Sequence, residues 1–103
     1  MKKNPQVAVA VKEILDLIKK ISPGKSVELR IPPYGAIQCV AGGNHRRGTP
    51  PNIVEMNAQV LIQLRRNPKR WAELVAEGQI KASGVASDLS SVFDQLSQKY
   101  PVG

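Results

Sequence analysis

The chain has 103 residues, of which 42% are hydrophobic and only 4% aromatic, and it carries a formal charge of +7. That length allows one domain with a modest core and excludes two, and the core has to be built from Val, Ile, Leu and Ala around single Trp71 and Phe93 side chains. One cysteine excludes an internal disulfide, and no apolar run approaches the roughly 18 residues of a membrane-spanning helix.

Val7, Val11, Ile14, Leu15, Ile18 and Ile21 follow the helical repeat, with Asn4-Pro5 as a start and Ser22-Pro23-Gly24 as a stop. The spacing predicts an amphipathic helix that covers a sheet; its Lys12, Lys19 and Lys20 also suit an anionic membrane surface. Val27, Leu29 and Ile31 alternate with Glu28 and Arg30 as a half-buried strand, and residues 35–41 read as a second, with Ile37 and Cys39 on one side. Tyr34-Gly35 between them allows a hairpin, while Pro32-Pro33 blocks ladder hydrogen bonds, so the two strands need not be tightly joined. Residues 42–52 form the longest loop, after which Ile53 to Met56 resume a strand and Asn57 caps a helix from Ala58 to Arg66.

Helix, strand and helix then follow in quick order. Asn67 is placed to cap a helix that begins at Pro68, shows Trp71, Leu74 and Val75 on one face and stops at Gly78. Gln79 to Ser83 alternates as a strand ending at Gly84, and Ser87 is placed to cap a last helix with Leu89, Val92, Phe93 and Leu96 at i, i+3, i+4, i+7. Early hairpin connections and late crossovers describe an α+β layer fold.

Few residues carry chemistry. Gly43, Gly48 and Thr49 imitate a phosphate loop, but no lysine follows the second glycine, and Pro50-Pro51 cannot open a phosphate-holding helix. His45, Arg46 and Arg47 in that loop are candidates for binding an anion such as a headgroup, and their alternative role is to pair with Glu28 or Glu55. Cys39 and His45 are the one thiol and the one imidazole, yet the strand pattern puts Cys39 in the core, so no catalytic residue is assigned. No set of His, Cys and carboxylates has metal-ligand spacing, and neither metal nor cofactor is expected. Arg65, Arg66, Lys69 and Arg70 form the densest basic run, and the adjoining Trp71 falls on the core face rather than where it would stack on a base.

The stretch from Asn67 to Leu96, with its apolar helix, glycine, Lys81-bearing strand and final amphipathic helix, resembles the C-terminal half of the sterol carrier protein family. Residues 52–66 extend the resemblance, and residues 27–52 look like its bacterial, actinobacterial orthologue branch. A related domain closes mycothiol-dependent maleylpyruvate isomerases, whose metal-binding helical domain has no counterpart here, so their activity does not transfer. The resemblance implies a single sterol-carrier-like domain over 1–103, with its core in 5–97 and a mainly antiparallel sheet of four or five strands covered by helices. Other members of that family insert a further strand where this chain has only residues 41–51.

It also implies a non-catalytic protein that holds a lipid or other hydrophobic small molecule, such as a fatty acyl chain, acyl-CoA or sterol-like body, between sheet and helices. The expected lining is Ile37, Val54, Leu61, Leu64, Leu74, Ile80, Leu89, Val92 and Phe93, with the last helix as a lid. Two alternatives stand beside it: an accessory interaction domain serving a separate catalytic partner, and a basic nucleic-acid-binding module, although nucleic acid is not the expected partner. The expected location is the cytoplasm, from the lone thiol and the lack of a signal-peptide core or peroxisomal ending, and the sequence leaves the oligomeric state open.

Overall fold

The computed structural model describes residues 3–42 and 51–102. Its first element, α1 (Pro5–Ile21), starts where the Asn4 side chain accepts hydrogen bonds from the Gln6 and Val7 amides, with Pro5 free of any amide to satisfy. Val11, Ile14, Leu15 and Ile18 are buried along one stripe, while Lys12, Glu13, Asp16, Lys19 and Lys20 face solvent.

Strands β1 (Val27–Ile31), β2 (Gly35–Cys39), β3 (Asn52–Glu55) and β4 (Lys81–Ser83) form one mixed sheet in the order β2-β1-β3-β4. β1 runs antiparallel to β2 and parallel to β3, and β3 runs antiparallel to β4. The double proline does not loosen the first hairpin. Pro32, Pro33 and Tyr34 make a turn closed by the Tyr34 amide on the Ile31 carbonyl at 2.7 Å, so the prolines stand outside the ladder and five residue pairs form, from Val27↔Cys39 to Ile31↔Gly35.

β2 stops two residues earlier than the alternation predicts. Val40 adopts φ 68°, and its amide turns away from the sheet to the Ser22 carbonyl at 2.8 Å. Gly24 lies against this corner with φ 150°, where a Cβ would sit 2.1 Å from the Val40 oxygen.

The Asn57 side chain accepts from the Val60 amide and starts α2 (Ala58–Arg66), as its sequence predicts. Asn67 does not cap the next helix with its side chain. Its amide closes α2 on Gln63 and its carbonyl takes the Arg70 amide, so Pro68–Arg70 is a 3-10 turn, and α3 begins only at Trp71 and runs to Ala76.

In α3, Trp71 and Leu74 are buried, but Val75 lies off their face and is 38% exposed. Gly78 ends the helix at φ 76°. The Gln79 and Ile80 amides both return to the Leu74 carbonyl, which holds them out of the ladder and leaves β4 three residues long. Ser87 is not a cap either: its hydroxyl donates to the Gly84 carbonyl, and the Asp88 carboxylate accepts from the Ser90 amide where α4 (Ser90–Lys99) starts.

Helices α1, α2 and α4 pack on one another over one sheet face. Val27, Leu29, Ile31, Cys39 and Val54 from that face join Leu61, Leu64, Leu74, Ile80, Leu89, Phe93 and Leu96 in a single aliphatic cluster. The opposite sheet face carries Glu28, Arg30, Gln38, Ile53, Glu55, Lys81 and Ser83, and none of these is fully buried. No helix among the described residues is long and apolar enough to cross a membrane.

Candidate functional site

Eight of the nine residues expected to line an apolar space come together: Val54, Leu61, Leu64, Leu74, Ile80, Leu89, Val92 and Phe93 are all in the core cluster. They meet as a closed core. Val54, Leu61 and Leu64 have no accessible surface at all, and a hollow wide enough for an alkyl chain would expose its lining to a water-sized sphere as fully as bulk solvent does. In this conformation the layer between sheet and helices is therefore filled by the protein's own side chains.

Ile37 stands apart from the eight. It is only half-buried, because β2 is the sheet's edge strand and α1 covers it incompletely. Between α1 and β2 lies an open groove of about 320 Å³, walled by Ala8, Val11 and Leu15 on the helix and by Tyr34, Gly35, Ala36 and Ile37 on the hairpin, with Lys12 and Asp16 at its rim. Val11 and Leu15 belong to the core, so the floor of this groove is the edge of the interlayer space. Lys12 and Asp16 pair with each other at 2.8 Å, which keeps the Asp16 carboxyl below its usual range.

Three further depressions lie elsewhere among the described residues, the first of about 380 Å³ on the outer side of α1 at Glu13, Asp16, Leu17 and Lys20. Another of about 440 Å³ follows the β4 edge past Ile53, Val75, Ile80 and Ala82; a more polar one of about 280 Å³ lies by Pro32, Glu55, Asn57 and Lys81. Of these four, only the α1–β2 groove is walled by α1, α2 or α4 and by the core face of the sheet at once.

The lid expected from sequence is fastened at both ends. Buried Asn52, at the start of β3, donates to the Ser26 carbonyl at 2.9 Å and hydroxyl at 3.2 Å, and accepts from the Ala86 amide at 2.9 Å in the segment leading into α4. Gly84 passes so close, at φ 107°, that a Cβ there would lie 2.2 Å from the Asn52 side-chain oxygen. At the other end the Arg65 guanidinium donates to the Tyr100 carbonyl just beyond α4. By contrast, the start of α1 is tied to the hairpin by one bond, from the Asn4 amide to the Tyr34 hydroxyl at 3.0 Å.

Cys39 is fully buried, and desolvation pushes its thiol up to about 11. Glu28 pairs with Arg30 at 2.9 Å. The Trp71 indole packs on Phe93 with ring centroids 6.2 Å apart, which leaves no face open for stacking. The anion-binding candidates His45, Arg46 and Arg47 lie outside the described residues. Among those described, no group of His, Cys, Asp and Glu is arranged to hold a metal ion.

Sequence reasoning missed the Asn52 junction, since Asn52 read only as the flank of a strand. It also missed the groove wall at Ala8, Tyr34 and Ala36. The signal for that wall was present in the short, Gly-containing second strand beside a long helix, but no single-residue pattern marks a gap between two elements.

Comparison with known proteins places these features in a lineage. A family profile described as bacterial SCP ortholog matches residues 3–94. Among solved structures, the fold is similar to one titled UbiJ-SCP2 ubiquinone synthesis protein, with a TM-score of 0.52 and 17% identity over 89% of this chain and 96% of that one. No curated protein matches significantly.

Proposed function

The chain belongs to the bacterial SCP ortholog family, and from that premise we propose that it is a non-catalytic binding domain that takes the alkyl part of a lipid, such as a fatty acyl chain, acyl-CoA or sterol-like body, between α1 and the sheet. The carrying observation is the groove at the β2 edge, the place where core side chains Val11 and Leu15 border open space beside Ile37. Its volume sits at the low end of small-molecule sites, so a long chain has to displace α1 and lie against the aliphatic cluster. The start of α1 is held to the hairpin only through the Tyr34 hydroxyl, while its end is held by the Val40 amide on the Ser22 carbonyl, so the helix swings most easily from its N-terminal end. Apolar walls select by volume and shape, and a ligand there replaces contacts that α1 makes with β2.

His45, Arg46 and Arg47 are the candidates to hold an acidic head. The test is native mass spectrometry of the purified protein with extraction of any retained apolar compound, followed by calorimetric titration with acyl-CoA. Retention of a lipid-sized mass, or saturable binding with a negative heat-capacity change, supports the reading. No retained mass and no heat across several chain lengths rejects it. A cytoplasmic location fits this role.

A further inference from the structure

We propose that the corner where the C-terminal ends of α2 and α4 meet docks on an anionic lipid bilayer. This goes beyond ligand binding and does not depend on it. Arg65 joins the two helices through the Tyr100 carbonyl, and α4 also packs on the 3-10 turn that carries Lys69. The corner therefore gathers exposed Arg66, Lys69 and Lys99 around Arg65, whose guanidinium is partly buried on the Tyr100 carbonyl, and among the described residues no carboxylate lies within ion-pair distance of any of them. Arg70 beside them is already engaged by Glu73 and Gln63. Helix C-termini favour cations in their last turns, which accounts for Arg65, Arg66 and Lys99 in part. It does not account for Lys69, nor for the chain that follows α4: half-buried Tyr100, exposed Pro101 and Val102 at 50% exposure, set beside these charges. Tyr100 packs back on the core, so exposed Pro101 and Val102 are the apolar tips; among cations with no carboxylate partner among the described residues they match a bilayer surface, where apolar tips enter the headgroup boundary and the cations meet anionic lipid.

Other faces and other polyanions fit less well. The exposed side of α1 mixes Lys19 and Lys20 with Glu13 and Asp16, and its Lys12 is already paired. Single-stranded nucleic acid needs open aromatic faces to stack on, and Trp71 is buried against Phe93.

The test is co-sedimentation of the whole chain with vesicles of equal parts phosphatidylcholine and phosphatidylglycerol, against phosphatidylcholine alone. Arg66→Gln with Lys69→Gln removes two exposed charges that hold no partner, and each is worth about fivefold in vesicle affinity, so the pair should weaken binding roughly 25-fold. Lys19→Gln with Lys20→Gln changes the net charge equally at the end of α1 and should cost about threefold or less, since charges beyond a Debye length from the surface are screened. Val102→Ser, which touches an exposed side chain only, should weaken binding while leaving its salt dependence unchanged. Equal losses from the two glutamine pairs would reduce the effect to net charge and overturn the docking corner. So would binding to neutral vesicles as tight as to anionic ones, or tighter binding to a DNA duplex that is lost with Arg66→Gln and Lys69→Gln.

Discussion

Lengthening the ligand two carbons at a time, from octanoyl- to hexadecanoyl-CoA, separates a chain lying in the resting groove from one enclosed beneath α1. A methylene occupies about the volume of a water molecule, roughly 30 Å³, so the 320 Å³ groove holds on the order of ten. A fully buried methylene contributes about 0.8 kcal/mol, or about fourfold in Kd. In a groove open along one side it loses about half its water contact, for about twofold per methylene and an end to the gain near ten carbons. Enclosure predicts the steeper slope, continuing past ten carbons, because α1 lifts and the chain meets the aliphatic cluster. Isothermal titration calorimetry reads both slope and end point, and the constant contribution of the CoA head cancels between chain lengths. Ile37→Asp, which sets a carboxylate at the half-buried mouth, should weaken every length by about tenfold or more. A twofold slope ending near ten carbons would refute enclosure, and indifference to chain length or to Ile37→Asp would refute the site.

Asn52→Ala strips three hydrogen bonds and takes from the buried Ser26 carbonyl its Asn52 donor, while the amide of exposed Ala86 turns to water, so it should cost about 2–3 kcal/mol in urea unfolding with little change in m. Gly84→Ala should destabilise through the same junction, since its Cβ meets the Asn52 oxygen in a left-handed backbone; a melting temperature within a degree or so of the parent would contradict the geometry. Cys39 should resist alkylation at neutral pH until the protein unfolds, which a thiol-reactive dye with and without denaturant will show. Its raised pKa also has a sign for stability. The unfolded chain releases the thiol proton first, so folding stability should fall as pH rises from the ordinary thiol range toward about 11, and Cys39→Ala should remove that part of the slope.

Reading from the sequence worked where one element's own periodicity carries the information. The α1 stripe, the alternation of Val27, Leu29 and Ile31, the Asn57 cap and the Gly78 stop each depend on residues within a few positions of one another. It failed where a backbone group had two suitors. Asn67 has the chemistry of a cap, but its amide and carbonyl are taken by Gln63 and Arg70. Ser87 likewise gives its hydroxyl to Gly84 and leaves the start of α4 to Asp88. The candidate site divides in the same way. Periodicity identified the apolar faces that meet, but whether two faces meet flush or leave a gap depends on how far α1 reaches across β2, a distance that no pattern along the chain encodes.

That distinction bears on how such a domain would load. The side chains of a core already closed by Leu61, Leu64 and Val54 gain nothing when an alkyl chain enters at its centre, because each of their contacts replaces an existing one of similar strength, and the gain there is only the chain's own removal from water. At the β2 edge the balance differs: Ile37 and the neighbouring Ala36 still face water, so a chain laid there covers apolar surface that no side chain now covers. The protein's own gain is therefore confined to the edge, and further inward the chain's own burial carries the binding. The first carbons to bind should seat against Ile37 and Tyr34, with later ones prising α1 outward from its singly tied start. Tyr34→Phe, which deletes the hydroxyl that accepts the Asn4 amide, should then speed association of long acyl chains more than short ones in stopped-flow. An equal effect on both would mean that α1 does not move.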